Sequence, residues 1–235
     1  MNNDCAKYLA SKIAICLLLM STISWAEMDN FIDWKLKSSK DNIGIYNRQV
    51  GNMPTLMFKT IATIDEPIDK VVSVLGDLER RNRWEPFFGS GKVIKEITPF
   101  DRIEYWHIAT PKPILKDREF VVSTKAWVDK EKNTVFSEFK TADYDYQSGF
   151  NRVRGQMYQS SFALTPLGGN KTKLVYILHV DPMGWCPKWI IRLVQEGYPR
   201  GFVVKVRAYL AKENVKIDPL AKELTDQLVI PVGPK

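Results

Sequence analysis

The sequence predicts an α+β fold, a curved antiparallel sheet closed by one long C-terminal helix, and three observations carry that expectation. Strand-like segments with a period of two recur from Ile43 to Val180. Turn clusters separate them, among them Gly51-Asn52-Met53-Pro54 and Leu167-Gly168-Gly169-Asn170, and short turns imply antiparallel pairing. Trp189 to Leu210 then repeats its apolar residues at the helical period, so this segment must bury one face against the sheet. With 235 residues, 45% hydrophobic and 26% charged, the chain has an ordinary globular composition and can build a sizeable core in one domain.

The elements follow in order. Residues 1–26 read as a secretory signal peptide: Lys7 and Lys12 precede the apolar run Ile13 to Met20, and Ser24-Trp25-Ala26 supplies a small-residue cleavage site. A retained anchor competes with this reading, but the run is about half of the roughly 20 residues a spanning helix needs. Cys16 lacks the small residue before it that a lipoprotein site requires, because Ile15 stands there. Cleavage leaves Cys186 as the one thiol, so no internal disulfide is expected. The expected localisation is therefore exported, periplasmic in a Gram-negative cell and otherwise secreted.

The domain is expected over residues 27–212, with a C-terminal tail at 213–235 in which Pro219 and Pro231 limit any continued helix. Glu27 to Lys37, with Phe31, Ile32, Trp34 and Leu36, predicts a short amphipathic helix. "IGIYNRQV" and "TLMFKTIATI" predict a hairpin. Asp65 can cap a helix that Pro67 opens and whose stripe is Ile68, Val71, Val72 and Leu75. Strands are then expected at Lys92 to Ile97, Arg102 to Ala109, Arg118 to Val128, Thr134 to Thr141, Arg152 to Leu164 and Lys171 to Val180.

The full chain carries +7, and about +6 once the first 26 residues are set aside, which favours anionic partners such as acidic lipid headgroups. The basic residues are dispersed and match no nucleic-acid motif, so no nucleic-acid partner is expected. The two histidines, His107 and His179, lie far apart, and no HxxxH or CxxC spacing exists, so neither a metal site nor a cofactor is expected.

"DLERRNRWEPFF", "PILKDREFVV", "VRGQMY" and "YILHVDPMGWCPKWII", in this order, resemble the START family of steroidogenic-acute-regulatory-related lipid-transfer domains. The resemblance covers about Trp34 to Leu210. It implies a helix-grip fold, a sheet gripping the C-terminal helix around a tunnel that holds one lipid or sterol. It also implies a monomer that carries such a ligand between membranes, in transient contact with their surface and without chemistry. The alternative is an enzyme, since related helix-grip proteins include cyclases and hydrolases; catalysis would need a positioned acid, base or nucleophile, and none stands out.

Candidate ligand-binding residues come from strand alternation and from this resemblance. On "RIEYWHIA" one face holds Tyr105 and His107, taken as ligand-facing, and the other Glu104, Trp106 and Ile108. His107 could bond a sterol hydroxyl or be a satisfied structural histidine. On "KTKLVYILHV" Tyr176 is placed inside and His179 outside. Arg118 stands where the family's Asp-Arg-Asp-Phe-Val stretch has its Arg; it could reach a headgroup or pair with Asp117 or Glu119. Arg154 could face ligand or solvent. Tyr144, Tyr146 and Phe150, in "ADYDYQSGF", suit either a gate or a surface turn, and Trp185 opens the helix near the expected mouth.

That helix contains "EGYPRG", which costs stability, since Gly loses roughly 1 kcal/mol and Pro about 3 kcal/mol against Ala in a helix interior. Counting from Ile190 at ~100° per residue puts Val194, Gly197, Gly201, Val204 and Ala208 near one line. The expectation is that the glycines face the sheet and leave room for ligand, with Pro199 as a gate hinge or simply a bend.

Overall fold

The computed structural model describes residues 33–110, 113 and 115–232. The signal segment and residues 27–32 of the expected first helix lie outside the described residues. The chain divides into Met1–Trp34 and Lys35–Lys235, and the fold below is that of the second unit.

Its elements are β1 (Lys35–Lys40), β2 (Ile43–Arg48), β3 (Met57–Ile64), α1 (Ile68–Gly76), a 3-10 turn (Arg81–Arg83), β4 (Phe88–Thr98), β5 (Asp101–Ile108), β6 (Arg118–Asp129), β7 (Thr134–Thr141), β8 (Val153–Arg154), β9 (Gln156–Gly168), β10 (Lys171–Asp181), α2 (Lys188–Lys212) and α3 (Pro219–Thr225). The ten strands form one sheet in the order β1-β2-β3-β10-β9-β7-β6-β5-β4, antiparallel along this path, with β8 parallel to β6. Two meanders are thus welded into one sheet by β3 and β10, which pair from Phe58↔Leu178 to Ile64↔Thr172.

Lys35 to Lys37 belong to a strand, not to the expected helix. β1 is an edge strand with little burial, so it carries no two-residue hydrophobic period, and the chance spacing of Trp34 and Leu36 reads as helical. Asp41 and Asn42, with φ of 54° and 55°, make the two-residue turn into β2, a conformation that Asp and Asn tolerate. Asp65 does not cap α1: Pro67 is the N-cap, without a side-chain bond, and Asp65 lies exposed 3.7 Å from Lys171 Nζ. The strand expected from Arg152 to Leu164 breaks at Gly155, where a Cβ would sit 2.4 Å from the Phe120 ring.

α2 runs unbroken through Pro199. Its buried side is Pro199, Phe202, Val203, Val206 and Leu210, an i, i+3, i+4, i+7 stripe whose larger side chains are each worth roughly 1.5–3 kcal/mol of burial. Phe202 stacks on Phe162 at 5.6 Å and lies 4.7 Å from Tyr176 and 5.7 Å from Trp84, in edge contact with the last. The glycine line is therefore rotated away from the expected face. Gly197, Val204 and Ala208 are exposed, a Cβ on Gly197 would meet nothing within 4 Å, and one on Gly201 would meet Pro86 at 3.9 Å. Arg207 donates to the carbonyls of Thr63, Asp41 and Asn42, and Arg200 pairs with Asp41, so two arginines tie α2 to the β1–β2 turn.

Beyond α2 the chain does not simply trail away. Pro219, expected to limit helix, opens α3, which Asp218 caps through the amides of Leu220 and Ala221. Ala221 and Leu224 are buried, and α3 packs against α1.

Candidate functional site

Between the inner face of the sheet, α1, the C-terminal end of α2 and the segment after it lies a cavity of about 800 Å³. The alternation of the strands supplies its apolar wall: Ala126 of β6, Val135 and Phe139 of β7, and Phe162 and Leu164 of β9, faced by Leu75 and Leu78. A volume of this size suits a single small ligand, since such pockets span roughly 300–1,000 Å³.

Polar and charged side chains make up much of the rest of the lining, among them Asp77, Arg80, Arg81, Arg83 and Arg102. Glu104 is buried; its Oε2 accepts from Trp106 Nε1 at 2.7 Å, and its Oε1 lies 2.8 Å from Arg102, a charge contact without hydrogen-bond geometry. Trp84, 1% exposed, and Thr124 also line the cavity, and neither Trp84 Nε1 nor Thr124 Oγ1 has a hydrogen-bond partner among the described residues. Buried polar groups are nearly always paired, so two unpaired ones beside one cavity are an informative feature.

At one end Arg81 is buried in an ion pair with Glu85, and its guanidinium lies 4.1 Å from the centre of the Trp106 ring. Glu85 Oε1 accepts from the Tyr198 hydroxyl at 2.6 Å. Burial first, then the Glu85 carboxylate, hold the Tyr198 and Tyr176 hydroxyls protonated well above the usual tyrosine range. This end is thus a closed polar knot.

The residues expected from sequence fall elsewhere. Tyr105 and His107 lie on the outer face of β5, opposite Glu104 and Trp106. Tyr105 donates to Glu119 Oε2 at 3.0 Å and accepts from Arg152 at 2.5 Å, and His107 Nε2 meets Asp117 at 2.9 Å. Arg118 is 3% exposed and makes neither of the expected ion pairs: it donates to the carbonyls of Lys116, Pro182, Met183 and Trp185. Arg154 pairs with Glu119 at 2.9 Å and also donates to the Tyr146 carbonyl. Tyr176 is buried, sealed between Phe162 and Phe202, and is not among the residues that line the cavity. His179 leaves the opposite face but is buried, not outside, with Nε2 at 3.3 Å from the Thr55 carbonyl.

The aromatic segment also covers the outer face. Tyr144 and Tyr146 pack on Ile103, Tyr105 and Val121, and none of these residues lines the cavity. Phe150 is 63% exposed beside Arg152, and Trp185 is 72% exposed. Ile190 is buried, Pro199 is buried, and Val194 lies among helix residues whose side chains are outside the described set.

Burial opposes the Glu119 charge, but hydrogen bonds from Ser148, Arg154 and Tyr105 outweigh it and hold the carboxylate below its usual range. The sequence reading missed Trp84, Glu104 and Thr124. Glu104 and Trp106 were assigned together to one strand face, but an acidic residue argues against choosing that face as the inside.

An antiparallel sheet wrapped on a C-terminal helix around a lined cavity is matched by comparison with known proteins. The START domain family model matches residues 28–213. The chain belongs to the START domain family. Among curated relatives, START domain-containing protein 10 of Mus musculus is 24% identical over 71% of this chain and 57% of its own length. The steroidogenic acute regulatory protein of Xenopus laevis is 31% identical over 67% of this chain and 56% of its own. The chain therefore spans little more than half the length of these relatives.

Among solved structures, human StAR-related lipid transfer protein 5 superposes with a TM-score of 0.71 at 16% identity, over 90% of this chain and 99% of that one. A STAR-related lipid transfer protein fragment from Xanthomonas axonopodis gives 0.65 at 21%, over 77% and 99%. At these identities the likeness is one of fold, and it agrees with a START helix-grip sheet around α2.

Proposed function

We propose that this START protein holds one lipid or sterol-like ligand in the cavity and carries it between membranes without changing it. The observation that carries the reading is the cavity of about 800 Å³, with an apolar patch on the sheet and with Trp84 Nε1 and Thr124 Oγ1 buried and unpartnered among the described residues. Apolar burial at about 25 cal/mol per Å² would supply affinity, and the polar groups would orient one ligand atom that hydrogen-bonds. The names of the relatives, which speak of lipid transfer, agree.

Contact with a membrane would fall to the rim of the cavity, where Val93 and Leu220 are exposed and Lys92 and Lys216 add positive charge. In this proposal the protein is exported by its first 26 residues and works as a monomer.

Native mass spectrometry of protein purified from its own compartment tests the reading. A bound lipid of unaltered structure is expected; a protein that neither carries nor takes up any lipid would sink it. Thr124→Val sharpens the test because its two expected effects have opposite sign. The free protein should gain about 1 kcal/mol from losing an unpaired buried hydroxyl, while lipid affinity should fall by about tenfold.

A further inference from the structure

We propose that the C-terminal segment Glu213–Val232 is a wall of the ligand site and the flap beneath which ligand enters and leaves. This rests on the reading that the cavity holds lipid. The START match ends at residue 213, yet Val215, Ile217, Leu220 and Leu224 all line the cavity. A segment outside the family match therefore closes one side of the site.

The way this segment is held suits a flap. It leaves α2 at Lys212 and runs without regular structure to Asp218, so a hinge is available. Two short polar anchors hold the rest. The Asp218 amide donates to Ser73 Oγ at 2.9 Å, and Asn133 bonds the Val229 backbone twice, donating to its carbonyl at 2.7 Å and accepting from its amide at 2.9 Å. Each such bond contributes about 1 kcal/mol net, so opening is far easier than unfolding the sheet. Ala221 and Leu224 supply the buried apolar hold.

Two other described segments lack these features. The segment from Tyr144 to Arg154 is fastened to Glu119 on the outer face and contributes no residue to the cavity lining, meeting it at Lys92, whose Nζ lies 5.5 Å from the centre of the Tyr146 ring. Arg118 pins the turn before α2 by its carbonyls. The exposed part of the lining comes from the tail, with Asn214, Lys216 and Leu220, and from the β4–β5 hairpin, with Lys92, Val93 and Pro99.

The test loosens the anchors with small changes, Ser73 being also a lining residue that loses only its hydroxyl. Ser73→Ala combined with Asn133→Gly removes both tethers, and glycine keeps the left-handed backbone at residue 133, where φ is 51°. Stopped-flow uptake of a fluorescent single-chain fatty acid from phosphatidylcholine vesicles should show entry and exit each faster by about tenfold, with affinity little changed. Ser148→Ala, which removes one of the bonds that hold the outer loop, should leave both rates as they are. Ile217→Trp should weaken binding about fivefold or more without lowering the melting temperature.

Unchanged rates in the double variant, or acceleration only by Ser148→Ala, overturns the flap. Hydrogen exchange on the free protein decides the same point without ligand: the double variant should expose amides at 72–78 and 213–225 faster than the parent. No such change overturns the flap even if the lipid reading stands. A parent protein that takes up neither this fatty acid nor a fluorescent sterol overturns the lipid reading, and the exchange result then rules on the flap alone.

Discussion

His179 shows how one side chain can carry a pH dependence without any part in the site. Burial, ahead of its other surroundings, lowers its pKa below the ordinary histidine value, so the folded protein holds it neutral. The unfolded chain takes up the proton first, near pH 6.5, and stability is complete above that pH and declines as pH falls through it. Unfolding midpoints at pH 7.5 and 5.5 should therefore converge in His179→Gln, and an equal pH slope in parent and variant would reject the assignment. Arg118 makes a second residue-level test. Lysine cannot span the carbonyls of Lys116, Pro182, Met183 and Trp185, so Arg118→Lys should cost about 3 kcal/mol in denaturant unfolding. Residue identities alone could not place these groups, because alternation says which residues share a face but not which face is inside. Tyr105 and His107 look like ligand contacts, and the structure puts Glu104 and Trp106 inside instead.

At the scale of elements, α2 was legible as a helix and illegible in its rotation. Reading glycines as space for a ligand pointed to Gly197 and Gly201. The bulk of Phe202, Val203, Val206 and Leu210 decides the matter, since burying those side chains outweighs any benefit of a gap. Gly197→Ala, on an exposed turn where a Cβ meets nothing, should therefore stabilise the protein by up to about 1 kcal/mol and leave lipid loading unchanged. Lost loading in a folded variant would restore the ligand-facing assignment. Phe202→Ala should cost about 3–5 kcal/mol, because it opens a void among Phe162, Tyr176 and Trp84. β1 and α3 were missed for a shared reason: an edge strand and a short capped helix bury too few residues to print a period on the sequence. Asp218-Pro219 was nevertheless a visible signal for α3, an N-cap followed by proline.

For the whole molecule, the strand order between β4 and β10, the helix that follows and the family were readable, because turn chemistry and alternation are local. The pairing of β3 with β10 was not, since nothing local records which distant edges meet. The outer loop should respond to acid as a unit. Glu119 is held below its ordinary range, so its contribution to stability is present above about pH 4.3 and is lost as pH falls through the lower folded value. Protease access to residues 142–152 should rise in that acid window, and Glu119→Gln should raise it already at pH 7. The neighbours of Glu119 extend the point. Asp117 holds His107 and Thr110, Arg118 holds the turn before α2, and Glu119 holds the outer loop. Three straps thus converge on about 7 Å of extended backbone and depart from alternating sides of it. A one-residue insertion just after Glu119 would exchange the two sides relative to the rest of β6 at once. The expected product is a chain that releases every strap together, so this short stretch is where the phase of the whole sheet is kept.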